Sequence, residues 1–98
     1  MDSTDESRER SLLLLRENHE FPGPFDFRMV VTPGHEASVV QTLADVIGCD
    51  ATDLTVSERP SRTGRFMALR IESTLQSAEQ VLACWDALGD VDGIITLM

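Results

Sequence analysis

Phe21-Pro22-Gly23-Pro24-Phe25-Asp26-Phe27-Arg28-Met29-Val30-Val31 is the stretch from which the fold is read. Its two prolines fix φ and remove amide donors, so no helix runs through Phe21 to Phe25. From Phe25 to Val31 aromatic and β-branched residues predict a strand. Alternation puts Phe27, Met29 and Val31 on one face and Asp26, Arg28 and Val30 on the other. One face is apolar and the other mixed, as expected of a sheet covered on one side only.

The chain on either side divides at this hinge. Residues 1–20 form an acidic leader, with residues 1–6 expected to be disordered. A short helix is expected from Ser7, as N-cap, to Asn18. The four residues Leu12-Leu13-Leu14-Leu15 cannot all lie on one helical stripe, so some must touch a second surface or remain exposed. The open face of the sheet and a partner chain are its two expected destinations. Residues 21–98 form a single domain.

Downstream, Thr32-Pro33-Gly34-His35 reads as a turn. Ala37, Val40, Leu43, Ala44 and Ile47 recur at helical spacing and predict a helix over Glu36–Ile47, stopped by Gly48. Cys49 to Asp53 is a polar connection. Leu54–Arg59 alternates weakly and ends at Pro60, as an edge strand does. Ser61-Arg62-Thr63-Gly64 makes a hairpin tip. In the strand from Arg65 to Ser73, Met67, Leu69 and Ile71 face one way and Phe66, Ala68, Arg70 and Glu72 the other. Ser77-Ala78-Glu79-Gln80 is a capping box in which Gln80 reaches back. It opens a helix with Ala78, Val81, Leu82, Trp85 and Leu88 as its stripe and Gly89 at its end, before a last strand over Ile94–Met98. The order βαββαβ predicts an α+β, ferredoxin-like two-layer sandwich: a four-stranded antiparallel sheet with both helices on one face.

Composition narrows the function. The 98 residues carry a net charge of −9, which excludes nucleic acid and anionic membrane as expected partners. Every basic residue is arginine. The two cysteines, Cys49 and Cys84, lack metal or redox spacing and read as reduced, structural thiols. The leucine run is too short for a signal peptide and follows acidic residues, so a soluble cytoplasmic protein is expected.

Phe21-Pro22-x-Pro24-Phe25, Pro60-Ser61 to Gly64-Arg65-Phe66, and Leu88-Gly89 together resemble the YbeD-like family (UPF0250 type) of small bacterial proteins of unassigned function. The likeness runs from Phe21 to Met98 and leaves the longer acidic leader outside it. It implies a ferredoxin-like fold similar to ACT regulatory domains, a role in metabolic regulation, and no catalytic residues. By the same resemblance an effector would sit at the first strand–helix loop, at Thr32, Gly34, His35 and Glu36, near the interface of a homodimer.

Other chemistries of this fold lack their residues. An acylphosphatase needs an arginine and an asparagine at the first strand–helix loop; that loop has no arginine, and the one asparagine is Asn18. A metal-transfer domain needs paired cysteines there, and an iron–sulfur cluster needs four thiolates. RNA binding on the central strands needs stacked aromatics, whereas the outward series is Phe66, Ala68, Arg70 and Glu72. No base and nucleophile pair stands at a workable spacing. The expectation is a protein without enzymatic activity, metal or cofactor.

Two surfaces remain. His35 stands where helix amides favour an anion, though a surface histidine finishing a turn explains it as well. Arg28, Val30, Phe66, Ala68 and Arg70 share a sheet face too apolar to be wholly solvated and too polar for a core. Arg62 and Arg65 flank Gly64 at the hairpin tip, placed to clamp an anion or an acidic partner. The alternatives are therefore a metabolite-binding regulatory module and an adaptor that binds a protein target through the outer sheet face.

Overall fold

The computed structural model describes residues 3–97, with side chains from residue 5 onward. The elements are α1 (Ser3–Asn18), β1 (Gly23–Val31), α2 (Glu36–Ile47), β2 (Thr55–Pro60), β3 (Met67–Leu75), α3 (Ala78–Leu88) and β4 (Ile94–Leu97). The four strands form one antiparallel sheet in the order β2-β3-β1-β4. This is the ferredoxin-like arrangement, reached because each strand–helix–strand crossover skips one position in the sheet.

The core lies between the sheet and the helices. Phe25, Phe27, Met29 and Val31 of β1 and Leu69, Ile71 and Leu75 of β3 are buried. They meet Val39, Leu43 and Ala44 of α2 and Ala78, Val81, Leu82, Cys84 and Leu88 of α3. Burial on alternate residues of β1 and β3 is what the period of two demands. Gly48 ends α2 in a left-handed conformation at φ 84°, which glycine adopts without steric cost.

Several local expectations need correction. The helix expected from Ser7 begins at Ser3, so residues 3–6 are helical rather than disordered. Asp5 and Glu6 lie in its first turn, where carboxylates complement the helix dipole. Met1 and Asp2, in the stretch expected to be disordered, and Met98, the expected end of the last strand, fall outside the described residues. The polar connection at residues 49–53 contains a 3-10 turn, Ala51–Asp53, at which Asp50 N–H donates to Asp53 Oδ2 at 3.3 Å. Strand β1 begins two residues before the expected Phe25 and ends at Val31 as expected, and β3 is shifted two residues toward the C-terminus at both ends. Ser77 does cap α3 by accepting from the Gln80 amide at 3.2 Å, but Gln80 reaches one residue further back, accepting from Gln76 N–H at 2.7 Å.

The leader does not cross the sheet. Helix α1 packs on α3, on the helix side of the molecule. Of its four leucines, Leu15 is buried in the core and Leu12 packs against it, whereas Leu13 and Leu14 stay exposed. Arg16 donates to Glu79 at 2.8 Å, and Arg8 stands 4.0 Å from Asp86. The Glu79 carboxyl is held below its ordinary value first by a hydrogen bond from its own backbone amide and then by Arg16. Both ion pairs are exposed and add little, so the leucines fix the docking.

Leu15→Ala should cost about 2 kcal/mol and Leu13→Ala less than about 0.5 kcal/mol, read from urea unfolding. Burial pushes the Cys84 thiol up to about 11 from an ordinary 9.0. The folded state thus keeps a proton that the unfolded state loses first. Its contribution is intact below pH 9 and should fade as pH rises through 11. Iodoacetamide on the native protein should modify the half-buried Cys49 and spare the buried Cys84, as peptide mass mapping would register.

Candidate functional site

Because α1, α2 and α3 all lie on one side, the opposite face of the sheet is bare of helices. Register fixes what that face carries. Arg28 stands directly opposite Arg70, and Asp26 directly opposite Glu72. Ser57 flanks Arg70 on the other side, and Arg59 pairs with Ala68. Val30 lies between Ala68 and Thr96. Rows of like charge therefore run across the strands.

Like charges opposed across a strand pair repel. Asp26 offsets this on the diagonal. Its Oδ2 accepts from Arg70 Nε at 2.9 Å and Nη2 at 2.6 Å, with Arg28 Nη2 at 3.9 Å. Glu72 stands 3.8 Å from Arg70. Among the described residues Arg59, Arg62 and Arg65 pair with no carboxylate within 4.0 Å. An open depression of about 340 Å³ runs between Arg28, Arg59 and Arg70, with Ser57 and Ala68 on its floor and Glu58 at its margin.

The hairpin tip is ordered by its own backbone. Ser61 N–H donates to Phe66 O at 2.9 Å, Gly64 N–H to Ser61 O at 3.0 Å, and Phe66 N–H to Ser61 Oγ at 3.1 Å. Gly64 takes φ 75°, the left-handed region that suits glycine. Arg62 and Arg65 are exposed on either side of it, and Phe66 is 43% exposed. Of the partner-binding residues read from sequence, Arg28, Val30, Ala68 and Arg70 come together on the outer face, and Arg62, Arg65 and Phe66 extend it at the tip. Arg59 and Ser57 were missed. Their strand alternates too weakly to show its faces, and only register with β3 aligns them with Arg70.

The effector loop is differently placed. Gly34 N–H donates to the Glu36 carboxylate at 3.2 and 3.0 Å, so the first turn of α2 already holds an anion of its own. His35 is half-buried, and its ring lies over Gly93, where any side chain would collide with ring carbons and Nδ1. Thr32 N–H donates to Gly93 O at 2.8 Å. Thr32, Gly34, His35 and Glu36 are thus brought together, with the backbone amides of Thr32, Gly34 and His35 engaged by Gly93 O, the Glu36 carboxylate and Thr32 O. A larger open cleft, about 680 Å³, lies at the foot of α3 between Arg16, Phe21 and Ser77, where Arg16 is committed to Glu79.

Among the described residues no helix is long and apolar enough to cross a membrane. No three histidine, cysteine or acidic side chains gather there as a metal site. Residues 16–98 match the family described as "Protein of unknown function (DUF493)". The chain belongs to the DUF493 family. The match starts at Arg16, so most of α1 precedes the DUF493 region. The fold is similar to the solution structure of protein HP0495 from H. pylori, with a TM-score of 0.68 over 82% of this chain and 85% of that one. At 11% identity that likeness concerns the fold alone. A search of curated proteins found no match.

Asp26→Asn, which removes the shared counter-charge of Arg28 and Arg70, should lower stability by about 0.5–1 kcal/mol at low salt. In about 1 M potassium chloride, where the screening length falls to about 3 Å, most of that difference should vanish. Paired urea titrations give both values.

Proposed function

We propose that this DUF493 protein is a non-enzymatic binding module that docks a partner protein on the outer face of its sheet. The observation that carries the reading is the placement of α1. The one segment of the chain suited to cover that face spends Leu12 and Leu15 on the helix layer instead. What remains bare is a patch of arginines, Val30, Ala68 and the exposed Phe66, a composition that suits a docking surface. A regulatory role of the ACT type, implied by the YbeD-like resemblance, fits such a module. The metabolite-binding form of that role has less support, because Glu36 occupies the Gly34 amide and His35 is packed on Gly93.

A photo-crosslinking amino acid placed at Ala68 in the full chain should trap a discrete protein adduct in cells. The same probe at Gln41, exposed on α2, should not, and Phe66→Asp should weaken the adduct formed from Ala68. Adducts of equal yield from both positions, or none from Ala68, would overturn the proposal.

A further inference from the structure

The outer face and the hairpin tip hold Arg28, Arg59, Arg62, Arg65 and Arg70, five of the eight arginines in the chain. Among the described residues, only the carboxylates of Asp26, Glu58 and Glu72 share or border that surface. Eight arginines less these five, and seventeen carboxylates less these three, leave three against fourteen on the rest of the chain. A strongly acidic protein thus carries one basic surface. Asp26 already serves two of its arginines, and Arg59, Arg62 and Arg65 have no carboxylate within 4.0 Å among the described residues.

We infer that the occupant of this face is an acidic segment of a partner protein, bound in extended form along the β2–β3 hairpin. The inference rests on the docking role proposed above and names the partner's chemistry. Register supplies the geometry. Arg70 lies in the row of Ser57, and Arg59 lies one same-face step, two residues, nearer the tip. Arg62 and Arg65 follow at the tip itself. Same-face steps along a strand are about 6.7 Å, which is also the spacing of alternate side chains in an extended peptide. Carboxylates at alternate positions would therefore meet successive guanidinium groups, whose planar fork binds carboxylates in two-pronged fashion.

Nucleic acid fits less well. A phosphate chain long enough to leave the arginine patch would run on past acidic surface. The face offers Phe66 as its one aromatic, which is not a stacking platform. A short acidic segment stays over the arginines. With a screening length of about 8 Å at physiological ionic strength, it feels little of the acidic helix layer beneath the sheet.

The test is titration of the isotope-labelled full chain with deca-glutamate, followed by amide chemical shifts. Saturable shifts should concentrate on residues 57–70 and on Arg28. Affinity should fall at least tenfold between about 50 and 300 mM salt. The double variant Arg59→Glu/Arg65→Glu should lose binding, while Arg10→Glu, an exposed arginine of α1, should keep it. No saturable shift, shifts centred on α1, or equal loss in both variants would overturn the inference. So would tighter binding of a ten-nucleotide thymidine strand at the same residues, which would reassign the face to nucleic acid. If deca-glutamate fails while the Ala68 probe still traps its adduct, the acidic class falls and the docking face stands. If deca-glutamate binds and the probe traps nothing, the docking proposal falls and the chemistry of the face is left intact.

Discussion

Everything in this fold leans on the apolar face of β1. Phe25, Phe27, Met29 and Val31 are all buried, and β1 is hydrogen-bonded on both sides, to β3 and to β4. The strand is the centre of the sheet and the floor of the core at once. Both helices close on it, and Phe25 extends the contact to Trp85 of α3 at 6.1 Å between ring centres and to His19 of the leader at 4.9 Å. With so small a core, each of these side chains is a sizeable share of total stability.

The leader is tied to the same support from the other side. Leu15 reaches the core between α1 and α3, and Asn18 Nδ2 donates to Leu14 O to finish the helix. Phe21 then packs against the cluster as the chain turns into β1. Leu12 and Leu15 hold α1 on the helix layer, and that placement leaves the outer face of the sheet uncovered. The packing of two leucines thus determines which surface the protein presents.

The elements that could be read from the sequence are those whose signal is local. Alternation in Phe25–Val31 and Met67–Ile71, helical spacing in Glu36–Ile47, and the Ser77 cap each involve neighbours a few residues apart, and these led directly to the fold. The candidate site was half legible. Arg28, Ala68 and Arg70 follow from alternation alone. Arg59 needed the β2–β3 register, and Asp26 needed the β1–β3 register, both long-range facts that no local pattern encodes. The loop at Thr32–Glu36 has contacts that are likewise invisible to local pattern. Composition does not show that the Glu36 carboxylate engages the Gly34 amide, nor that the surface under His35 comes from Gly93, nearly sixty residues away. The leader helix extended past Ser7 because docking on α3 supplies stability that its polar sequence lacks.

The pairing of Arg28 with Arg70 and of Asp26 with Glu72 has a consequence for the landscape of the sheet. A slip of β1 against β3 by two residues would keep every apolar side chain on its own face and set Arg28 opposite Glu72, or Asp26 opposite Arg70. Charge alone therefore prefers a register the protein does not use. The core overrides it, because only the observed register seats Phe27 against Ile71 and Met29 against Leu69 beneath the helices. The outer face is left locally frustrated, in the sense that its charges are at odds with the arrangement the rest of the sequence selects. Frustration held in place by a distant core does not relax by rearranging the sheet. Beyond the diagonal pairing of Asp26 with Arg70, compensating charge would have to come from outside the sheet.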